Sequence, residues 1–289
     1  MVAYENFLVL PKGSQYGYLD TTSWSWASNA SACFEDNHNF FLVCALSFYP
    51  VIFGIRHIMK DREPFDLGGA KSSARLNYIF WWEVGLALFS IVGVYHVVPM
   101  AMAPLFEGKS LAESICMDGV HGDPRNVWTL LFMLSKVAEF GDTIFVVLRK
   151  KPLILLQHYH HLATMLYCWY GSRFVYNLNN TNVYFAGMNL TVHSIMYTWY
   201  AATRTGWRSP KWMMMCVTLL QLVQMVAGVS IVLVAGFGPA SMKCGTWVKE
   251  GLYGFAGCLF MYFSYLVLFG QLFVSNYCTK KEKEKEKPN

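Results

Sequence analysis

The stretch "LILLQHYHHLATMLYCWY", residues 153–170, is apolar enough to lie in a membrane, yet it carries three histidines within four positions. Polar and ionisable side chains are costly in hydrocarbon and normally face other helices or a cavity. The stretch therefore predicts a helix within a bundle, with its histidines turned toward neighbouring helices.

The rest of the chain has the composition of a polytopic membrane protein. Over 289 residues it is 55% hydrophobic and only 14% charged, which is too apolar for an ordinary soluble domain. Seven apolar stretches are each about long enough to cross a hydrocarbon core of ~30 Å. We predict an all-α fold with seven transmembrane helices, at roughly 40–58, 78–103, 127–148, 153–171, 182–203, 212–236 and 251–276.

The distribution of lysine and arginine orients these helices. Of the 23 basic residues, sixteen fall on one predicted side and six on the other, and Lys136 lies within a span. Cytosolic loops carry the basic excess, so we expect a luminal amino terminus and a cytosolic carboxyl terminus. This topology accounts for the positive charge, and we expect no nucleic-acid partner.

No internal repeat or interdomain linker is visible. We predict a luminal segment over 1–39, a single seven-helix domain over 40–276 and a cytosolic Lys/Glu tail over 277–289. Sequons at Asn29 and Asn179 fall on the luminal side, and we expect glycosylation at Asn29.

Two further features bear on the compartment. Lys285 and Lys287 stand fifth and third from the carboxyl end, which resembles a dilysine signal for return to the endoplasmic reticulum; a merely solvated tail is the alternative. Three cysteines, Cys33, Cys116 and Cys244, fall on the luminal side, where a disulfide is stable. Three pairings of these cysteines are open.

Polar residues recur on the third and fourth spans. On the third, Lys136, Glu139 and Thr143 share one helix face by their spacing, with Asp142 at its edge. On the fourth, the polar side chains cover a wide arc of the helix, so we do not expect all of them to face one cavity. They are Gln157, His158, His160 and His161.

The fifth and sixth spans continue the pattern. Asn189, His193 and Tyr197 follow at intervals of four and make a single face. The sixth span carries a polar residue at every third position, at Thr218, Gln221 and Gln224.

These groups lie at one depth. With a rise of ~1.5 Å per residue, Asp142, His160, His193 and Gln221 lie ~10–16 Å from the nearest cytosolic basic residue. Four helices therefore predict one polar chamber. Its charged approach would suit a phosphate-bearing ligand, although the positive-inside rule alone also explains the residues concerned, which are Arg149, Lys150, Lys151, Arg204, Arg208 and Lys211.

Several chemistries use clustered histidines. A di-iron desaturase needs about eight histidine ligands, but here only four histidines share a depth. A zinc site could use His158, His161 and His193 with a carboxylate, and a seven-helix receptor would fit the topology. A further possibility is acyl chemistry in a dry chamber, with imidazole as nucleophile or base, and we expect no metal.

The motifs resemble those of the fatty-acid elongases of the endoplasmic reticulum, over about residues 50–275. The family's KxxExxDT pattern appears as Lys136, Glu139, Asp142 and Thr143. "LRKKPL" precedes the histidine box, NxxVHxxMY follows in the fifth span and TxxQxxQ in the sixth. The sequence is most similar to the branch that acts on saturated and monounsaturated long-chain substrates.

The resemblance implies that spans two to seven ring an acyl tunnel. It implies the condensation of acyl-CoA with malonyl-CoA to 3-oxoacyl-CoA, CO2 and CoA, with no cofactor beyond these substrates. His160 would carry the acyl group and His193 would assist the second step. The other polar residues named above would support the site, and the basic residues at the approach would bind CoA.

The resemblance has three further implications. It pairs Cys116 with Cys244. It also implies association with the other enzymes of the elongation cycle, in a membrane-lipid setting, and a homo-oligomer is one possible assembly. The alternative from another class is a catalytically weakened seven-helix acyl-CoA-binding protein or receptor.

One residue departs from the family pattern. The family box is HxxHH, but this chain has Gln157 at the first position, followed by His158. An amide forms hydrogen bonds but is neither a base nor a cation at neutral pH. Gln157 suffices if the family's first histidine only orients the second, whereas a proton-transfer role would make this chain slow or inactive.

Overall fold

The computed structural model describes residues 39–68, 77–117, 126–170, 180–238 and 246–278. Every regular element in these ranges is helical, which confirms the all-α prediction for them. The helices are α1 (Asn39–Ile58), α2 (Tyr78–Phe106), α3 (Leu111–Cys116), α4 (Asn126–Ala138), α5 (Phe140–Leu148), α6 (Leu155–Tyr170), α7 (Thr181–Arg204), α8 (Lys211–Phe237) and α9 (Thr246–Phe273), which a π-helical turn, Val274–Cys278, extends.

Four of the helices are long and apolar enough to cross a membrane: α1, α2, α8 and the stretch Leu252–Cys278. Their outer faces expose large apolar side chains such as Leu46, Leu88 and Phe260, which suits contact with lipid. The chain is therefore a membrane protein. The remaining predicted spans, α4 with α5, α6, and α7, carry most of the polar residues named above, and the count of seven stays a prediction.

Six of the predicted spans form a closed ring. Neighbouring helices contact one another in the order α2, α7, α8, α9, α6 and α4, and α4 returns to α2. α1 lies outside this ring, mainly against α5 and α6. Glycine allows close packing at two of the contacts, because Gly141 lies against the Trp82 ring and Gly228 lies against the Tyr262 ring.

The third predicted span is not one continuous helix, and this part of the prediction is wrong. A turn at Glu139 separates α4 from α5, and Asp142 N donates to Glu139 O, three residues back, at 3.1 Å. Side chains three residues apart eclipse in such a tight turn. Asp142 therefore lies above Glu139, the place that ideal α-helical spacing gives to Thr143. Gly141, a weak helix former, follows the turn.

At the end of the bundle that contains α3, short polar contacts join the helices. Ser110 caps α3 through a reciprocal capping box with Glu113, and hydrogen bonds from the Ser110 side chain and backbone lower the pKa of the Glu113 carboxyl. Asn180 N donates to Met117 O at 2.9 Å. Cys116 is disulfide-bonded. Cys33 and Cys244 lie outside the described residues, so the pairing with Cys244 stays a prediction.

Other predicted features also lie outside the described residues. They are the glycosylation site Asn29, the dilysine pair Lys285 and Lys287, and nearly all of the predicted luminal segment and cytosolic tail.

Gly228 and Gly257 should respond differently to replacement by alanine, because one is closely packed and the other is not. Gly228→Ala would place a Cβ inside the Tyr262 ring and should cost about 1–3 kcal/mol of unfolding free energy, because overpacking forces helices apart. Gly257, on the neighbouring α9, has open space around it, so Gly257→Ala should leave stability equal or slightly higher. Thermal unfolding of the purified variants in detergent measures both, and equal losses would contradict the packing described here.

Candidate active site

The helix ring encloses two adjoining cavities. The first, here called the polar chamber, has a volume of about 270 Å³. It is lined by Glu139, Asp142, Ile154, Leu156, Gln157, His160, His161, Asn189, Val192, His193, Met196, Tyr197, Tyr200, Gln221, Gln224, Met225, Phe269 and Leu272. Ten of these residues were predicted for the site from the sequence, and they come from the turn at Glu139 and from α5, α6, α7 and α8.

The second, here called the apolar cavity, has a volume of about 70 Å³. It is lined by Phe132, Met133, His160, Thr164, Tyr167, Cys168, Asn182, Phe185, Asn189, Gln224, Met225, Met261, Tyr262 and Tyr265. His160, Asn189, Gln224 and Met225 line both cavities. The junction between the polar and the apolar space is therefore lined by an imidazole, two amides and a thioether.

A closed circuit of four side chains joins α4 and its following turn to α7. Lys136 Nζ donates to Glu139 Oε1 and to Asn189 Oδ1, the latter at 2.7 Å. Glu139 Oε1 also lies 3.3 Å from His193 Nδ1. Asn189 Nδ2 lies 3.4 Å from His193 Nε2 and closes the circuit. We call these four residues the buried circuit.

The buried circuit defines how His193 carries its proton. A hydrogen on Nδ1 is donated to the Glu139 carboxylate, so Nε2 keeps its lone pair and accepts from the Asn189 amide. A neutral imidazole held by a carboxylate at one nitrogen is oriented at the other. His193 therefore presents a basic nitrogen at the wall of the polar chamber.

Lys136 lies behind this wall and lines neither cavity. Its side chain is 2% exposed, and its ammonium lies 4.4 Å from the centre of the Phe132 ring. Burying an ammonium is costly unless it is paired and hydrogen-bonded. Lys136 therefore neutralises the buried Glu139 carboxylate and does not meet a ligand.

Asp142 is held between two other helices. Trp82 Nε1 donates to Asp142 Oδ1 and the Tyr197 hydroxyl donates to Oδ2, both at 2.7 Å. The carboxylate thus joins α2, α5 and α7 at one point of the chamber wall. Charge-assisted hydrogen bonds of this kind are stronger than neutral ones.

His160 is oriented by the last helix. The Tyr265 hydroxyl donates to the backbone oxygen of His160 at 3.1 Å, and the two ring centres are 4.8 Å apart. Thr164, one turn further along α6, also bonds to the Tyr265 hydroxyl, at 2.9 Å. Tyr265 therefore fixes the turn of α6 that carries His160.

The other histidines of the box have different surroundings. His161 lines the polar chamber and is buried, and its Nδ1 has no hydrogen-bond partner among the described residues. Gln157 lines the same chamber. Each can therefore turn its polar atoms toward a bound ligand.

His158 does not support the site as the sequence suggested. It lines neither cavity, and its Nδ1 lies 3.1 Å from the Tyr49 hydroxyl on α1, outside the helix ring. The face of α6 that carries Gln157, His160 and His161 points inward, and His158 is one helical step off that face. A zinc site made of His158, His161 and His193 does not form in this arrangement.

Two further predicted residues also stay out of the cavities. Thr143 is fully buried behind the wall, as the tight turn at Glu139 explains. Thr218 donates to Met214 O within α8 at 3.1 Å. Of that helix, Gln221 and Gln224 reach the polar chamber, and Gln221 Nε2 lies 3.2 Å from Met196 Sδ.

The six basic residues predicted to bind CoA divide into three groups. Arg204 makes a bidentate ion pair with Glu83 of α2, with distances of 2.7–3.1 Å, so its guanidinium is already engaged and is not free to bind a ligand. Lys150 and Lys151 line a separate pocket beside α1. Arg149, Arg208 and Lys211 make no ion pair with another described residue.

The sequence reasoning missed three residues that shape the site: Trp82, Glu83 and Tyr265. Glu83 carried a usable signal, because an acidic residue in a predicted span needs a buried partner. Trp82 and Tyr265 carried none, since aromatic residues are common in every span of this chain.

Comparison with known proteins gives a consistent result. Residues 33–285 match the family model described as ELO: GNS1/SUR4 family. The chain is similar to "Putative fatty acid elongase 3" of Caenorhabditis elegans, with 35% identity over 98% of this chain and 85% of the relative. It is 34% identical to "Very long chain fatty acid elongase 6" of Homo sapiens, over 84% of this chain and 86% of the relative.

A relative from a third organism is also similar. "Very long chain fatty acid elongase 4" of Trypanosoma cruzi is 34% identical over 88% of this chain and 85% of the relative. No solved structure matches the chain significantly.

The buried circuit predicts strong coupling between its charges. Lys136→Met leaves the Glu139 carboxylate buried without its cation and should cost about 3–5 kcal/mol of stability. Adding Glu139→Gln removes the unpaired charge, so the double variant should lose less stability than the sum of the losses in the two single variants. Thermal unfolding in detergent gives this cycle, with the exposed Lys211→Met as control, and additive losses would contradict the pairing.

Proposed function

The chain belongs to the ELO family and is an enzyme of fatty acid elongation, and we propose that it catalyses the condensing step, from acyl-CoA and malonyl-CoA to 3-oxoacyl-CoA, CO2 and CoA. The substrates would be saturated or monounsaturated long-chain acyl-CoAs, as the motifs of the sequence suggest. The reaction balances without a cofactor or a metal.

The observation that carries this proposal is the position of His160 at the junction of the two cavities. The apolar cavity offers aromatic and thioether side chains to an alkyl chain, and the polar chamber offers groups that hold or move protons. An acyl-CoA has the same division, and its thioester lies where the two parts meet. A thioester carbonyl at the junction would lie beside the His160 ring.

In the first step, a ring nitrogen of His160 attacks the thioester carbonyl. The carbon–sulfur bond breaks, the acyl group stays on the imidazole, and the imidazole proton passes to the departing CoA thiolate. Histidine is suited to this role, since acyl-imidazoles are reactive toward a second nucleophile. The buried surroundings of the junction exclude the water that would hydrolyse the intermediate.

In the second step, malonyl-CoA loses CO2, and the electrons of the broken carbon–carbon bond remain on C2 of the resulting acetyl-CoA unit. This carbanion attacks the acyl carbon, and the bond to His160 breaks to release the 3-oxoacyl-CoA. The imidazolate left on His160 takes up a proton from solvent, which regenerates the neutral imidazole. Decarboxylation makes an external strong base unnecessary. The amides of Asn189 and Gln224 would donate hydrogen bonds to the enolate oxygen, and His193, which accepts from the Asn189 amide, would orient that amide and so assist the attack.

CoA would approach from the end of the bundle where the polar chamber is lined by Ile154, Tyr200 and Leu272, each close to a basic segment of the chain. Arg149, Arg208 and Lys211 are the predicted basic residues that keep free charges there. We propose that they bind its phosphates.

The cellular setting proposed here follows from the charge distribution and the family. We propose residence in the endoplasmic reticulum membrane, with a luminal amino terminus glycosylated at Asn29, a cytosolic carboxyl terminus, and other elongation-cycle enzymes as neighbours.

Gln157 favours a second candidate function. An amide at the first position of the box would leave a binder without turnover if the family's histidine there transfers a proton. The alternative is therefore a seven-helix acyl-CoA-binding protein that has lost catalysis.

The acyl-carrier role predicts two separate results for His160→Ala. Incubation with acyl-CoA alone should give a protein mass increased by one acyl group in the parent and no increase in the variant. Condensation with radiolabelled malonyl-CoA, across acyl-CoAs of graded length, should fall by more than about 10³-fold.

His158→Phe is the matched control, because that ring packs against Tyr49 outside the ring of helices, and it should retain the activity of the parent. Normal condensation by His160→Ala would refute the mechanism. Absence of product from the parent with every acyl-CoA would favour the binder.

The polar chamber also predicts the effect of Gln157→His. His161 and His193 already place two imidazoles in the chamber, so the neutral amide is sufficient at position 157. The turnover number should change by less than about tenfold, whereas a missing proton-transfer group would be worth about 10²–10⁴-fold. Steady-state kinetics with saturating malonyl-CoA distinguish the two, and a gain in the larger range would show that this chain lacks an acid–base residue.

A further inference from the structure

A separate pocket lies outside the helix ring, between the end of α1 and the segment that joins α5 to α6. Its volume is about 450 Å³. It is lined by Arg56, Met59, Lys60, Val147, Lys150, Lys151, Pro152 and Leu153. Met59 and Val147 are buried, whereas the four basic residues are exposed. The pocket therefore has an apolar floor and a basic rim, and we call it the basic pocket.

One side-chain and one backbone hydrogen bond hold the walls of the basic pocket together. Lys150 Nζ donates to Lys60 O at 3.0 Å, which ties the end of α5 to the end of α1. Phe65 N donates to Leu148 O, also at 3.0 Å. These contacts join segments about ninety residues apart in the chain, so the arrangement of the basic residues is built into the fold.

The backbone at Lys150 is unusual. Its φ is 52°, in the left-handed region, where it ends α5 in a Schellman motif: Lys150 N donates to Val147 O and Lys151 N donates to Val146 O, both at 2.9 Å. Glycine adopts this conformation without a steric penalty, and a lysine does not. A lysine at this position places an ammonium at the pocket in spite of that penalty.

The four cations have no acidic partner. No carboxylate lines the basic pocket, and none of Arg56, Lys60, Lys150 and Lys151 makes an ion pair with another described residue. Like charges within one pocket repel one another. An anion that carries more than one charge would relieve this repulsion and accept several hydrogen bonds at once.

We propose that the basic pocket binds the phosphate-monoester headgroup of an anionic phospholipid. Basic pockets between transmembrane helices at a cytosolic boundary suit such headgroups. Exposed apolar side chains beside the pocket, Ile58 and Leu155, offer a surface for the lipid chains. The pocket shares no lining residue with the polar chamber, so a ligand held there would not occupy the proposed catalytic site.

This proposal gives Lys150 and Lys151 a role apart from CoA and is independent of the condensation reaction. A soluble phosphate ligand, CoA itself included, has the same charged chemistry. The experiment must therefore separate a lipid headgroup from soluble CoA.

The test uses the purified full-length protein in neutral phosphatidylcholine nanodiscs, with a fluorescent phosphatidic acid as probe and phosphatidylserine as the singly charged comparison. The double variant Lys60→Gln/Lys151→Gln should bind phosphatidic acid at least about tenfold more weakly than the parent. Arg62→Gln, on the same segment but not lining the pocket, should bind as the parent does. Unchanged binding by the double variant would overturn the proposal.

Two further measurements separate lipid binding from loss of the fold and from CoA binding. Lys150→Gly keeps the left-handed backbone, so it should weaken phosphatidic acid binding without lowering the thermal unfolding temperature, which excludes loss of the fold as the cause. Added CoA should not displace the lipid. Displacement by CoA, together with weaker CoA binding by the double variant, would assign the pocket to CoA and refute a lipid site.

Discussion

The buried ion pair between Lys136 and Glu139 is the constraint on which the rest of the site depends. Two charges in the interior of a membrane bundle are stable only when they are paired and fully hydrogen-bonded. Asn189 and His193 of α7 complete those bonds, so α4 and α7 must approach closely at one depth and in one rotation. The need to bury these two charges as a pair therefore determines where the His193 imidazole lies and which of its nitrogens carries the proton.

Polar contacts between helices also hold the rest of the polar chamber's wall together, with fewer charges. Asp142 joins α2, α5 and α7 through Trp82 and Tyr197, and Gly141 lets the Trp82 ring lie directly on α5. The pair of Glu83 and Arg204 joins α2 to α7 again, nearer the helix ends. α2 and α7 are thus held together by polar groups on their facing sides, where lipid offers no competing hydrogen bonds.

The sequence predicted which helices carry the polar lining, but it did not predict every residue that faces the chamber. Spacing along α7 predicted the shared face of Asn189, His193 and Tyr197, because an unbroken helix keeps its 3.6-residue period. It failed at Thr143, since one tight turn after Glu139 moved Asp142 into the wall instead. It could not decide which residues of the wide arc on α6 face inward, because the contact between Tyr49 of α1 and His158 fixes the rotation of α6, and this contact has no periodic pattern in the sequence.

α1 lies outside the closed ring of α2, α4, α6, α7, α8 and α9. The two cavities are lined without a single residue from α1. Instead, α1 and the residues that follow it supply one wall of the basic pocket, through Arg56, Met59 and Lys60, and a partner for His158. Because α1 packs against α5 and α6, which carry Asp142 and His160, it supports the polar chamber from outside without lining it.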